Sequence, residues 1–217
     1  MIYAPVPFDC LPFDCLCPLL LSPSRTLATN GTNILLTPSD IESLLRQEPI
    51  SDEWPWNTKD EAIIHGNIKD IIAEISRKNR LLDKTDFGHY GSGYASYVDC
   101  WLYRADDAFR FDKGDCYWEL VVLFSTLSKY YVVGEGQKTW DKTRGSSYLP
   151  SFQFVDRISH PAVQELIEGV CSVLANRGLI RVNASEVSSL LAAEIEVPTI
   201  LGDRPWRHFD ALYYWED

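Results

Sequence analysis

The feature that most constrains the fold is a nearly continuous apolar run, CYWELVVLF, over residues 116–124. A run of this length without polar alternation is typical of a buried central strand. It lies between two further strand-like runs, residues 94–103 and 130–133, which are rich in aromatic and β-branched side chains. Because only the short links ADDAFRFDKGD and STLSK separate the three runs, the sequence predicts an antiparallel meander.

Two amphipathic helices are predicted on either side of the meander in the chain. Isoleucines recur at helical spacing over residues 59–80, behind a Thr58-x-x-Glu61 sequence that is typical of a capping box. Residues 161–177 keep the same periodicity with valine and leucine, and Gly178 follows where a left-handed residue commonly ends a helix. We therefore expect both helices to bury one apolar stripe against the sheet.

Three shorter elements are also predicted. Thr37 followed by Pro38 indicates a helix start. Asn183-x-x-Glu186 indicates another, with a helix running through Val187, Leu190 and Leu191. The aromatic residues 206–217 (WRHFDALYYWED) are interpreted as a last strand that pairs into the sheet.

These elements predict an α+β fold, in which an antiparallel β-meander sheet is packed by amphipathic helices in a single domain over residues 34–217. Residues 1–33 are rich in proline and are predicted to form an irregular arm. The arm contains a duplicated pentapeptide, PFDCL, at residues 7–11 and 12–16. The duplicated segment matches no functional motif.

The net charge of −11 limits the class of partner. Nucleic acid and anionic membrane surfaces are disfavoured, because binding to phosphate depends mainly on Lys and Arg. A basic protein partner is compatible with the charge, although solubility alone would also explain it. The N-terminus lacks the basic residues of a signal peptide, and its apolar stretch is broken by prolines, so we expect a cytoplasmic protein.

No metal and no cofactor are expected. The six cysteines lack the ligand spacing of a zinc site, and the glycines around residue 91 do not match a phosphate-binding loop. Two carboxylate–imidazole pairs, Asp86 with His89 and His208 with Asp210, leave open the alternative of a small cytoplasmic enzyme.

Aromatic residues next to acids form two candidate partner-binding groups, since exposed Trp and Tyr often dominate protein interfaces. The competing interpretation is that these aromatics fill the core or the edge of the sheet. The candidates are Asp99, Trp101, Trp206, Asp210, Trp215, Glu216 and Asp217.

Over residues 60–217 the chain resembles immunity proteins of bacterial polymorphic toxin and contact-dependent inhibition systems. The resemblance lies in the aromatic meander ending in LVVLFSTLSKYYVV, the helix HPAVQELIEGV and the terminal HFDALYYWED. It implies a non-enzymatic inhibitor, monomeric or homodimeric, that binds one cognate toxin domain. A general protein-interaction module or homodimer subunit is a further alternative.

Overall fold

The computed structural model describes residues 35–88, 91, 93–139 and 150–216. The predicted arm over residues 1–33, His89 and Asp217 lie outside the described residues. Two sheets and several helices form an α+β fold, as the sequence predicts. The helices are α1 (Pro38–Leu45), α2 (Glu61–Asn79), α3 (Pro161–Asn176), α4 (Ala184–Val187) and α5 (His208–Leu212). The strands are β1 (Leu82–Asp86), β2 (Tyr94–Ala95), β3 (Tyr97–Tyr103), β4 (Cys116–Ser125), β5 (Tyr130–Thr139), β6 (Ile180–Arg181) and β7 (Trp215–Glu216).

The main sheet has five strands in the order β1-β3-β4-β5-β6. The pairs from β1 to β5 are antiparallel, which confirms the predicted meander, whereas β6 pairs with β5 in parallel. β2 and β7 form a separate two-stranded sheet. The sequence does not predict β1, because its residues LDKTD lack apolar alternation and owe their conformation to pairing with β3.

The central strand β4 is apolar except for the buried Glu119 and Ser125, because both faces of the sheet are covered. Val122 and Phe124 lie in a core with residues of α2 and α3. Val121 and Leu123, which point to the opposite face, lie in a second core with residues of α1 and α5. A strand with one face in water would alternate apolar and polar residues, and β4 does not.

The two long helices agree with their prediction, except at one cap. The N-cap of α2 is Asp60, whose Oδ1 accepts hydrogen bonds from Ala62 N (3.0 Å) and Ile63 N (3.3 Å). The predicted box between Thr58 and Glu61 is wrong, because Thr58 lies before the helix and accepts from Asp60 N instead. α3 ends before Gly178, which has a φ of 78°.

The predicted strand over residues 206–217 is wrong. Residues 208–212 form α5, and only Trp215–Glu216 pair as a strand, with β2. Phe209, Leu212 and Tyr213 are buried at helical spacing in the second core, which favours a helix over alternation. The predicted helix after Asn183 is shorter than expected: it ends at Val187, and Leu190 forms a β-bridge with Arg207.

In the described ranges of the chain, the helices are too short or too polar to span a lipid bilayer.

Candidate partner-binding site

Two of the predicted partner-binding residues, Asp99 and Trp101, lie inside the protein. Their exposed fractions are 2% and 1%. Trp101 Nε1 donates a hydrogen bond to Asp99 Oδ2 (2.8 Å), and Lys138 Nζ lies 4.6 Å from the centre of the Trp101 ring. Trp101 belongs to the second core, on the face of the main sheet that α1 and α5 cover. Both side chains therefore stabilise the fold and do not form part of an exposed binding surface.

The sheet makes room for Trp101 at a glycine. A Cβ on Gly136 of β5 would lie 2.5 Å from the Trp101 ring, a distance that no side chain tolerates. Burial lowers the pKa of Lys138, while the charges of Asp99 and Glu119 oppose that shift. The cluster is a buried polar network that fixes the packing of β3, β4 and β5.

The C-terminal candidates are divided among different local structures. Trp215 and Glu216 are half-buried and form β7. Trp206 is also half-buried, and its Nε1 donates to Glu196 Oε2 (3.2 Å). Asp210 accepts from Arg207 N (2.7 Å) at the start of α5, and burial raises its pKa.

Of the two predicted carboxylate–imidazole pairs, only His208 with Asp210 lies wholly within the described residues. Asp86 Oδ1 accepts from the backbone of Gly88 (2.6 Å), and its predicted partner His89 is not described. His208 and Asp210 are two positions apart in α5, a spacing that points side chains away from each other. Asp210 is instead occupied with the cap of its own helix.

An apolar groove lies between α1 and the segment of residues 190–196. Its volume is about 430 Å³. The sequence does not single out most of its residues, because they come from chain regions about 150 positions apart. It is lined by Leu36, Pro38, Ile41, Glu42, Leu45, Leu190, Leu191, Ala192, Glu194, Ile195, Glu196 and His208.

Backbone hydrogen bonds hold the 190–196 wall of the groove in place. Leu191 N donates to Trp206 O (2.8 Å), and His208 N donates to Ser189 O (2.9 Å). Arg204 donates to Ala193 O (2.7 Å) and forms an ion pair with Glu196. The wall is therefore attached to α5 and to the loop before it, although it contains no regular helix or long strand.

The rim of the groove is acidic. Glu42, Glu194 and Glu196 line it and are all exposed. Hydrogen bonds from Arg204 and from Trp206 lower the pKa of Glu196, so this side chain stays ionised at neutral pH. The groove thus combines an apolar floor with an acidic border, in which Glu196 is paired with Arg204 and Glu42 Oε2 lies 3.8 Å from Arg46 Nη1.

His208 is the polar side chain at the buried side of the groove. It is 5% exposed, and its Nδ1 has no hydrogen-bond partner in the described part of the chain. Burial lowers its pKa from the ordinary value of 6.5, which keeps the imidazole neutral at pH 7.

A second apolar depression, of about 410 Å³, shares four residues with the groove and is also lined by the candidate Trp206. The shared residues are Leu190, Leu191, Ala192 and Ile195. Leu190 is 59% exposed and adds apolar area to both depressions. The sequence signal that could have indicated this surface is the apolar pair Leu190-Leu191 next to two acids.

Within residues 35–88, 91, 93–139 and 150–216, no group of three or more His, Cys, Asp or Glu side chains is arranged to hold a metal ion.

Comparison with known proteins gives no match to a protein-family model, to a curated protein or to a solved structure.

Proposed function

We propose that this protein is an immunity protein that binds and neutralises a bacterial toxin domain with a basic surface. The observation that carries the proposal is the groove between α1 and residues 190–196, whose apolar floor is bordered by Glu42, Glu194 and Glu196. Such a site is complementary to an apolar anchor flanked by Lys or Arg. A basic nuclease-type toxin offers that combination.

The charge distribution of the chain supports the same partner. Residues 160–217, which supply most of the groove, contain nine acidic and four basic residues. A field of this sign accelerates encounter with a basic protein, and the apolar floor then limits dissociation. The enzyme alternative has less support, because Asp210 caps α5 and does not orient His208.

The test first asks whether the neighbouring upstream gene encodes a large secreted protein with a variable C-terminal domain, and then uses that domain as the toxin. We expect this domain to co-purify with the protein. Leu190→Asp places a charge on the groove and should weaken binding by about 2 kcal/mol or more, as at an interface hot spot. The measurement is the Kd by titration calorimetry.

Leu82→Asp is the matched control. Leu82 is also an exposed leucine, at 49%, and it lies on β1, outside the lining of the groove. It should leave the Kd unchanged. Equal loss of affinity in both variants, or no binding of the toxin domain by the wild-type protein, would contradict the proposal.

A further inference from the structure

We infer that the loop of residues 50–57, between α1 and α2, is a second contact surface, which binds an arginine side chain of a protein partner. The inference goes beyond the proposed function, because none of these residues lines the groove. Exposed tryptophans are typical of the centre of a protein interface. Of the predicted candidates, Trp101 is buried, and Trp206 and Trp215 are half-buried. Trp54 in this loop is instead exposed.

Trp54 lies largely in water. Its exposed fraction is 68%, the highest of the large apolar side chains in the part of the chain that the structure describes. Trp56, two positions later, is 3% exposed and lies in the core that α2 and α3 form with the main sheet. The loop is therefore anchored by one tryptophan and exposes the other. Tryptophan offers a large contact area with few rotatable bonds, so it loses little conformational entropy on binding.

Hydrogen bonds and packing hold the loop in place. Ile50 N donates to Leu127 O (3.0 Å), which attaches the start of the loop to the turn after β4. Asn57 Nδ2 donates to Asp52 O (3.1 Å) and connects the two sides of the loop. Together with the buried Trp56, these bonds limit the movement of the backbone. A preorganised surface favours binding, because less conformational freedom is lost on association.

The charges of the loop favour a cationic occupant. Asp52 and Glu53 precede Trp54, and both are exposed. Glu53 Oε1 lies 2.5 Å from Lys129 Nζ, so these two charges balance each other. The Asp52 carboxylate forms no hydrogen bond or ion pair within the described ranges, and its charge is left unbalanced. Two residues of chain span at most about 7 Å, so one cation of a partner can reach both this carboxylate and the Trp54 ring.

The group that fits both features best is a guanidinium. It is planar and weakly hydrated, so it stacks on an indole face and still donates hydrogen bonds to a carboxylate in its plane. A lysine ammonium is strongly hydrated and acts as a point charge. An apolar anchor would contact the ring but would gain nothing from Asp52. The net charge of −11 attracts the same class of partner, a basic protein with arginines on its surface.

Three capped glycine pentapeptides with a central arginine, lysine or citrulline test this chemistry. Lysine keeps the charge without the planar group, and citrulline keeps a planar group of similar size without the charge. Binding is followed at constant ionic strength by the NMR signals of the indole N–H groups, among which Trp54 is the signal that Trp54→Ala lacks. We expect the arginine peptide to bind roughly threefold more tightly than the lysine peptide, because its guanidinium stacks on the exposed ring. The citrulline peptide should bind most weakly.

Variants assign the preference to the loop, with the backbone amide signals of residues 50–57 reporting their binding. Trp54→Ala should abolish the preference for arginine over lysine, and Asp52→Asn should weaken the binding of both charged peptides. Asp70→Asn is the matched control and should change neither affinity, because Asp70 is an exposed acid on α2, outside the loop, and the net charge changes equally. The comparison of peptides in the wild-type protein does not depend on any variant folding correctly.

The inference is overturned by equal affinities for the arginine and lysine peptides, or by an unshifted Trp54 signal. It is also overturned if the preference persists in Trp54→Ala, or if Asp52→Asn and Asp70→Asn weaken binding equally. Weaker toxin binding by Leu190→Asp, without selectivity among the peptides, would leave the proposed function standing and this inference refuted. Selective binding of the arginine peptide at Trp54 supports the inference even if the wild-type protein binds no toxin domain, a result that contradicts the proposed function alone.

Discussion

At the scale of the residue, burial changes the interpretation of several side chains. The sequence suggests that Asp99 and Trp101 lie on a partner-binding surface. In the structure both side chains are buried, and Trp101 donates a hydrogen bond to Asp99. The sequence suggests a catalytic role for His208, yet its Nδ1 has no hydrogen-bond partner among the described residues, and the residue lies beside an apolar groove. Sequence alone could not distinguish these roles, because alternation shows that one face is buried without showing which one.

The lowered pKa of His208 predicts a pH dependence of stability. The unfolded chain takes up a proton near pH 6.5, whereas the folded chain resists protonation at this ring. Because the unfolded state then binds more protons, the free energy of unfolding should fall as the pH falls below 6.5. Urea denaturation of the wild type and of His208→Gln at pH 7.5 and pH 5.5 measures this contribution.

The Gln variant should lose less stability between these two pH values than the wild type. The carboxylates and the other histidines are common to both proteins, so the difference between the two pH profiles isolates His208. Parallel profiles would show that the imidazole titrates alike in the folded and unfolded states.

At the scale of the element, periodicity is a reliable guide where the element packs through one face. The five buried isoleucines of α2 predict its extent to within two residues, because each occupies the same buried stripe. The strands β3, β4 and β5 are predicted for a similar reason. β1, α5 and the 190–196 wall are missed or misassigned, because pairing with distant residues determines their conformation. The groove has no sequence signature for the same reason, since its two walls meet only in the folded protein.

The correct cap of α2 can be tested directly. Asp60→Ala removes the acceptor for two backbone amides and should lower the free energy of unfolding by about 1 kcal/mol. Asp60→Asn keeps an acceptor in the same place and should retain most of that stability. Thr58→Ala should cost less than Asp60→Ala. The free energies are measured by chemical denaturation. A larger loss of stability for Thr58→Ala than for Asp60→Ala would support the capping box predicted from the sequence instead.

At the scale of the whole molecule, the two faces of the main sheet are covered by different kinds of element. α2 and α3 close one face with a stripe of apolar residues each. The other face is closed by shorter pieces, α1, α4, α5 and the loops between them. The groove forms among these shorter pieces, where loops leave more freedom for a binding surface than two long helices do.

Whether the charge acts locally or through the whole molecule is also testable. The double change Glu42→Lys with Glu194→Lys, and the double change Glu165→Lys with Glu168→Lys on α3, each move the net charge by four units, from −11 to −7. We expect the groove pair to slow association with the toxin domain by roughly tenfold at low salt, and the α3 pair to slow it much less. Stopped-flow association rates at two ionic strengths measure both. Equal slowing by the two pairs would show that net charge, and not the rim of the groove, steers the encounter.

The two outer strands of the main sheet influence whether two molecules can associate edge to edge. β1 exposes Asp83 and Lys84 along one edge, and β6 is only two residues long at the other. Short and charged edges are poor templates for an incoming strand, so both edges disfavour the addition of a strand from a second molecule. If the protein acts as the proposed inhibitor, edges of this kind would help it to accumulate ahead of its target without edge-to-edge association.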